Sequence, residues 1–174
     1  MAQTMMPSHF YTAGFLCALF LAASVGCGEK PRAQHISAKL SVISYAQART
    51  RFTAGMEKNL NFPVLEIFNG DGSLIYRNQD EIRNAGALEH VLASISTLPP
   101  LQHAPRLADI LDTVPEFKPH EQEVLSHHKP VVLSVDMEGC GACRIQASWL
   151  EEERDRLLRQ SIDVLEIHVS APSL

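Results

Sequence analysis

Acidic and basic side chains are missing from the first 28 positions of this 174-residue chain. Phe10 to Val25 is almost wholly apolar and runs into small residues, Ala22-Ala23-Ser24-Val25-Gly26-Cys27. An apolar run of this length, closed by small residues, predicts a secretory signal rather than a spanning helix. Cysteine is scarce, with four residues at positions 17, 27, 140 and 143. That number does not build the dense disulfide framework on which small secreted domains depend. No cluster of Lys and Arg occurs, and the formal charge of −5 argues against a nucleic-acid partner. There is no phosphate-binding loop, no G-x-G-x-x-G and no Ser-His-Asp pattern. Arg144, not a histidine, follows the second cysteine of the 140–143 pair, so the haem-attachment motif is excluded as well. No fixed-period repeat and no low-complexity segment is present, and no cofactor is expected. What remains is one globular domain of roughly 100–150 residues with a proper core, plus extras.

The N-terminal ending Ser24-Val25-Gly26-Cys27 resembles a bacterial lipobox, in which the cysteine is lipidated and becomes the mature N-terminus. Ser24 stands where an aliphatic residue is usual, and the segment before the apolar run has no Lys or Arg. Three outcomes follow: a lipid on Cys27, simple cleavage after Ser24, or an uncleaved anchor. All three place the chain outside the cytoplasm, on the periplasmic side of a bacterial membrane, where disulfides persist. In the lipidated case the membrane is a partner through Cys27, Cys17 is discarded, and Cys140 and Cys143 are the only free pair. The division expected is 1–27 as signal, 28–38 as a polar tether with Pro31, and 39–174 as a single domain.

The chemistry-bearing stretch is Gly139-Cys140-Gly141-Ala142-Cys143. An apolar run, Val131 to Val135, precedes it, and a charged helical segment, Arg144 to Gln160, follows. Strand, tight turn, helix puts two thiols at a helix N-terminus. There the macrodipole and unpaired N–H groups favour a thiolate. A thiolate with a second thiol three residues away can attack a disulfide and then be displaced by its neighbour.

Taken in order, Lys39 to Ser44 alternates and predicts a strand. Ala46 to Asn59 predicts a helix with Ala48, Phe52 and Met56 on one face, although Gly55 interrupts it. Val64–Phe68 and Ser73–Arg77 flank Asn69-Gly70-Asp71-Gly72, a strong hairpin signal. Asn78 fits an N-cap with Glu81 three residues on, ahead of a stripe of Ile82, Ala85, Leu88, Leu92 and Ile95. Residues 98–130 hold six of the ten prolines. That density predicts a surface-wrapping connector with short helices at Arg106–Thr113 and His120–His128. The chain then reads strand, Cys-x-x-Cys, helix and a last strand, Ile162–Val169, a parallel unit with a right-handed crossover. In that helix Ile145, Trp149 and Leu157 are the expected buried side. Glu152–Arg156 and Asp155–Arg159 are expected i,i+4 pairs on its solvated face. The fold class is therefore mixed α/β (α+β), a sheet flanked by helices.

On these residues the chain resembles the thioredoxin superfamily. That fold has a βαβ half with Cys-x-x-Cys at its helix N-terminus, then a ββα half in which a cis-proline faces the cysteines. Residues 130–169 are similar to the first half. Residues 61–97, from Asn61-Phe62-Pro63-Val64, are similar to the second, with Pro63 in the place of the cis-proline. The order is reversed here. Either the fold is circularly permuted, with 39–97 as the first half, 98–129 as the bridge and 130–174 as the Cys-x-x-Cys half, or the halves are separate units that share no site. The permuted reading is preferred, because neither half alone closes a sheet or buries both faces. The resemblance implies an extracytoplasmic thiol–disulfide oxidoreductase whose partner is a protein disulfide or dithiol. Cys140 would be the nucleophile and Cys143 the resolving thiol, with Phe62 and Pro63 shaping the substrate groove. The chain departs from the family at Gly139, where an aromatic is usual, and at Ala142, where Pro or His is common. Ser134 stands where a buried carboxylate often lies, with Asp136 and Glu138 as possible partial replacements.

Two other readings of the cysteines stand beside this one. The pair could be an inert disulfide, although so short a loop gains little by chain entropy. Alternatively, a thioredoxin-like scaffold could bind copper, zinc or a partner without turnover, drawing on His127, His128 or His168. His127 and His128 are expected at the opposite end of the strand from the cysteines, so no metal residues are assigned.

Overall fold

Alternation along His35–Ser41 is strict: Ile36, Ala38 and Leu40 are buried, and the residues between them point outward. This is strand β1. It begins inside the stretch expected to be tether and stops before Val42, because Ser41 turns the chain into helix α1, Val42–Phe52. The Ser41 hydroxyl accepts from the Ser44 N–H at 3.1 Å, the bond by which a serine caps a helix. The computed structural model describes residues 32–52 and 61–171. The signal segment with Cys17 and Cys27, and Gly55 and Met56 of the expected helix, lie outside the described residues. All described residues belong to one unit, Pro31–Leu174.

The hairpin forms as β2, Val64–Phe68, and β3, Leu74–Asn78. Gly72 takes φ +77°, which a side chain would resist, and the Asn69 side chain accepts from the Ser73 N–H at 2.9 Å. Helix α2, Glu81–Ala93, is capped by Asp80, whose carboxylate accepts from the N–H groups of Ile82 and Arg83. Asn78 instead ends β3, so the expected cap lies two residues too early. The expected stripe is also rotated. Ile82 is 75% exposed, and the buried face is Asn84, Leu88 and Val91.

The proline-rich connector does more than wrap the surface. It carries helices α3, Leu107–Thr113, and α4, Glu121–Ser126, with a 3-10 turn at Lys118–His120. Leu107, Ile110, Leu111, Val114, Phe117 and Val124 from it are buried. Arg106 fixes its start to the hairpin by donating to Ser73 Oγ at 2.9 Å and to the Asp71 carbonyl at 2.7 Å.

Strand β4, Val131–Met137, helix α5, Gly141–Arg159, and strand β5, Asp163–Ser170, complete the chain. The sheet is mixed and five-stranded, in the order β1-β5-β4-β2-β3. β1 and β4 both run parallel to β5, whereas β2 is antiparallel to β4 and to β3. One face, with Phe68, Leu133, Val135 and Ile167, packs against Tyr45 of α1 and the connector helices. The other, with Leu65, Ile67, Val132 and Val164, packs against Leu88 and Val91 of α2 and Leu150 and Leu157 of α5. Each fully buried aliphatic side chain contributes about 1.5–3 kcal/mol from removal of its apolar surface from water. On α5 the buried side is Cys143, Gln146, Leu150 and Leu157. Ile145 is 54% exposed and Trp149 half-buried, so the expected apolar side is off by about one position. The surface ion pairs are Arg154–Glu151 and Arg156–Glu153, spaced i,i+3 instead of the expected i,i+4.

Two glycines give opposite expectations. A Cβ on Gly70 would stand 2.3 Å from the His128 carbonyl oxygen, where the hairpin loop meets the turn before β4. A Cβ on Gly86, in mid-helix on α2, would meet nothing within 4 Å. Gly70→Ala should lower the thermal midpoint, at a cost of about 1–3 kcal/mol. Gly86→Ala should raise it, with a gain of about 0.5–1 kcal/mol. Calorimetry on the two variants measures both; equal shifts would contradict the packing described.

Candidate functional site

The turn Glu138-Gly139 connects β4 to α5. Gly139 has φ +79°, so the residue before the first cysteine occupies the left-handed region that favours glycine. That conformation accounts for a glycine here. Cys140 is the N-cap of α5, and its Sγ accepts from the Cys143 N–H at 3.1 Å. Cys140 and Cys143 are joined by a disulfide, with 5.2 Å between the Cα atoms. Cys140 is half-buried, whereas Cys143 is 2% exposed.

Facing the disulfide is the start of β2. The Phe62–Pro63 bond is cis, and the Phe62 carbonyl oxygen lies 3.9 Å from Cys140 Sγ. The structure therefore brings Phe62, Pro63, Cys140 and Cys143 together from positions 78 residues apart in the chain. The Phe62 ring meets that of Tyr45, 5.5 Å between centroids. Burial pushes the Tyr45 phenol up to about 12, against the opposing effect of the neighbouring Arg49. Near Tyr45, Glu66 is buried in mid-strand and pairs with Arg77 Nε at 3.2 Å. Its carboxyl is raised above the usual range by burial, against the pull of Arg77 and Arg49.

Ser134, where the resemblance would put a carboxylate, is buried and accepts from Gln146 Nε2 at 3.0 Å. Gln146 lies three positions after Cys143 on α5 and has no exposed surface. Its Nε2 also donates to the Val64 carbonyl at 3.0 Å, and its Oε1 accepts from Asn84 Nδ2 at 2.6 Å. Nothing in the sequence singled out Gln146. The signal available was a lone uncharged polar residue on the Cys143–Leu150 face of a charged helix.

Asp136 Oδ2 is 2.7 Å from His168 Nδ1, and Glu138 is exposed. His168 continues a polar row across the open part of the sheet. Its Nε2 lies 3.2 Å from Ser37 Oγ and 3.6 Å from Glu166 Oε2, which is 3.1 Å from His35 Nε2. His127 and His128 precede β4 at the end away from the motif, so they are not brought to the cysteines. Among the described residues no group of three or more His, Cys, Asp and Glu is placed to hold a metal ion. The candidate lipidation residue, Cys27, lies outside the described residues.

Compared with family models, with curated proteins and with solved structures, the chain finds no match.

The burial difference between the two sulfurs sets their order of reaction. After reduction, limiting iodoacetamide should label Cys140 at least about tenfold faster than Cys143, by peptide mass spectrometry, since access governs thiol reactivity alongside ionisation. Comparable labelling would contradict the arrangement. Asp136 gives a pH expectation. Loss of solvent raises its carboxyl above the usual range, partly offset by His168. A carboxyl with a higher pKa folded than unfolded binds extra proton in the folded state. Its stabilising contribution is full below the unfolded pKa, about 4, and is lost as pH rises through the folded value. Asp136→Asn removes that loss. Urea unfolding should therefore show the variant gaining on the wild type as pH rises above about 4. A difference that stays flat with pH would contradict the assignment.

Proposed function

We propose that the protein is a thiol–disulfide oxidoreductase in which Cys140 and Cys143 form the working couple. One observation carries the reading: the Phe62 carbonyl beside Pro63 stands 3.9 Å from the sulfur of a half-buried N-cap cysteine whose disulfide partner is buried. A helix N-terminus offers N–H groups to a thiolate, and the Cys143 N–H already points at Cys140 Sγ. An inert cross-link needs neither an accessible sulfur nor a facing wall from another strand.

In the reducing direction the Cys140 thiolate attacks one sulfur of a partner disulfide. A Cys140–partner disulfide forms, and the partner's other sulfur leaves as a thiolate and takes up a proton. Cys143 gives its proton to solvent and attacks Cys140 Sγ. The second partner sulfur leaves, and the Cys140–Cys143 disulfide remains. Two electrons have passed from the Cys140/Cys143 dithiol to the partner, and the reverse sequence oxidises a partner dithiol.

We also read the fold as thioredoxin-like with its halves in permuted order. The support is the pairing of β2 with β4, through which residues 61–97 and 130–169 share one sheet. The alternative of separate units has no such pairing. The compartment proposed is the periplasmic side of a bacterial membrane, with a lipid on Cys27 as the anchor. This rests on the N-terminal sequence alone.

Cys143→Ala should accumulate mixed disulfides with proteins that carry accessible disulfides, seen as adducts on non-reducing gels and lost on adding dithiothreitol. Cys140→Ala should bring exchange down to the uncatalysed rate. Absence of adducts from Cys143→Ala in the presence of such proteins would overturn the proposal.

A further inference from the structure

Gln146 is a buried polar side chain with both amide N–H groups and its oxygen hydrogen-bonded, and its partners lie on three different elements. Val64 opens β2 directly after Pro63, Ser134 is on β4, and Asn84 is on α2. The chain of bonds goes on: Asn84 Oδ1 accepts from the Tyr76 hydroxyl at 3.1 Å, and that oxygen accepts from Asn78 Nδ2 at 3.3 Å. Every member is uncharged in its ordinary state at neutral pH. A hydrogen-bonded network with a buried centre rigidifies what it joins.

Two dipoles meet at Cys140 Sγ. The Cys143 N–H, 3.1 Å away, favours negative charge there and is fixed by the helix that carries both cysteines. The Phe62 carbonyl oxygen, 3.9 Å away, disfavours it and belongs to a different part of the chain. Beside the pairing of β2 with β4, which brings that part to the cysteine turn, the bond from Gln146 to Val64, two residues beyond Phe62, joins it to α5 itself.

We propose that Gln146 is a positioning residue for thiol–disulfide exchange: it clamps the Phe62-Pro63-Val64 segment to the cysteine helix and so sets how strongly the Phe62 carbonyl opposes the Cys140 thiolate. The inference rests on the proposed activity. As an uncharged amide, Gln146 also keeps carboxylate charge out of the layer beneath Cys143, where Ser134 too is neutral.

The test uses the reduced full-length chain and reads the rate of Cys140 alkylation by iodoacetamide against pH, with thermal unfolding measured in parallel. Gln146→Leu releases the carbonyl. The midpoint should fall by about half a pH unit, giving about threefold more thiolate at neutral pH. Gln146→Glu places a carboxylate in the same space and should move the midpoint upward. Asn84→Ala, a milder change, should move it in the direction of Gln146→Leu by a smaller amount. The titratable side chains about the motif are Cys143 and Arg144 on α5, Asp136 on β4, Glu138 in the turn after it, His168 on β5 and Tyr76 in the network, and all are unchanged in these variants. Opposite shifts in the Leu and Glu variants, both of which lose thermal stability, are what a purely structural tie cannot produce. Profiles that overlay the wild type, or that move together, overturn the proposal. Exchange with a small aromatic disulfide is measured on the same samples. If wild type fails to exchange while the alkylation midpoints move as stated, the functional reading fails, and what stands is the control by Gln146 of the Cys140 thiolate alone.

Discussion

The antiparallel pairing of β2 with β4 is the contact on which the rest depends. Val64 lies opposite Val135 and Leu65 opposite Ser134, so the start of β2 falls at the end of β4 from which the cysteine turn leaves. Without that register Phe62 and Cys140 are remote in sequence and have no reason to meet. With it, the Phe62 carbonyl reaches the N-cap sulfur, and one side chain on α5 can bond both the Val64 carbonyl and Ser134. The register is well determined. β2 is buried along its whole length, and a slip by one residue would turn Leu65 and Ile67 to the opposite face and Glu66 into their place.

The setting of the disulfide is mostly uncharged. A buried carboxylate near a cysteine raises the cost of the thiolate by repulsion and can also take its proton. Here Ser134, Gln146 and Asn84 are buried and bonded to one another, and Asp136 is bonded to His168. The local fields that remain are those of backbone dipoles: the N–H of Cys143, the α5 N-terminus and the Phe62 carbonyl. Such dipoles act only at fixed distances, so the rigidity of the Gln146 network and of the Phe62–Tyr45 contact bears directly on the chemistry.

Much of this was legible in the amino-acid sequence where local chemistry acts alone. Asn69-Gly70-Asp71-Gly72 between two apolar runs announced the hairpin, and the strand, Cys-x-x-Cys and helix order placed the motif. The misses share a cause: whether a residue is buried depends on partners far away in the chain. β1 was misplaced because His35, Ser37 and Lys39 look like tether until Ile36, Ala38 and Leu40 have a sheet to face. Ile82 and Ile145 are apolar at helical spacing, which predicts core, yet both are exposed, and the polar Asn84 and Gln146 are buried against each other. The proline-rich connector was read as surface, but Phe117 and Leu111 fill the core beneath it. Phe62 and Pro63 entered through resemblance; their approach to Cys140 is a property of the sheet register, which local sequence does not encode.

Equilibrating the protein in glutathione buffers of stepped ratio, and counting free thiols at each step, separates the proposed working couple from a structural cross-link. A working Cys140–Cys143 couple should be half-reduced within the range of known oxidoreductases, roughly −120 to −270 mV, with equilibrium approached from both the oxidised and reduced starting states. A disulfide that stays closed until below about −300 mV, the region of structural cross-links, would contradict it.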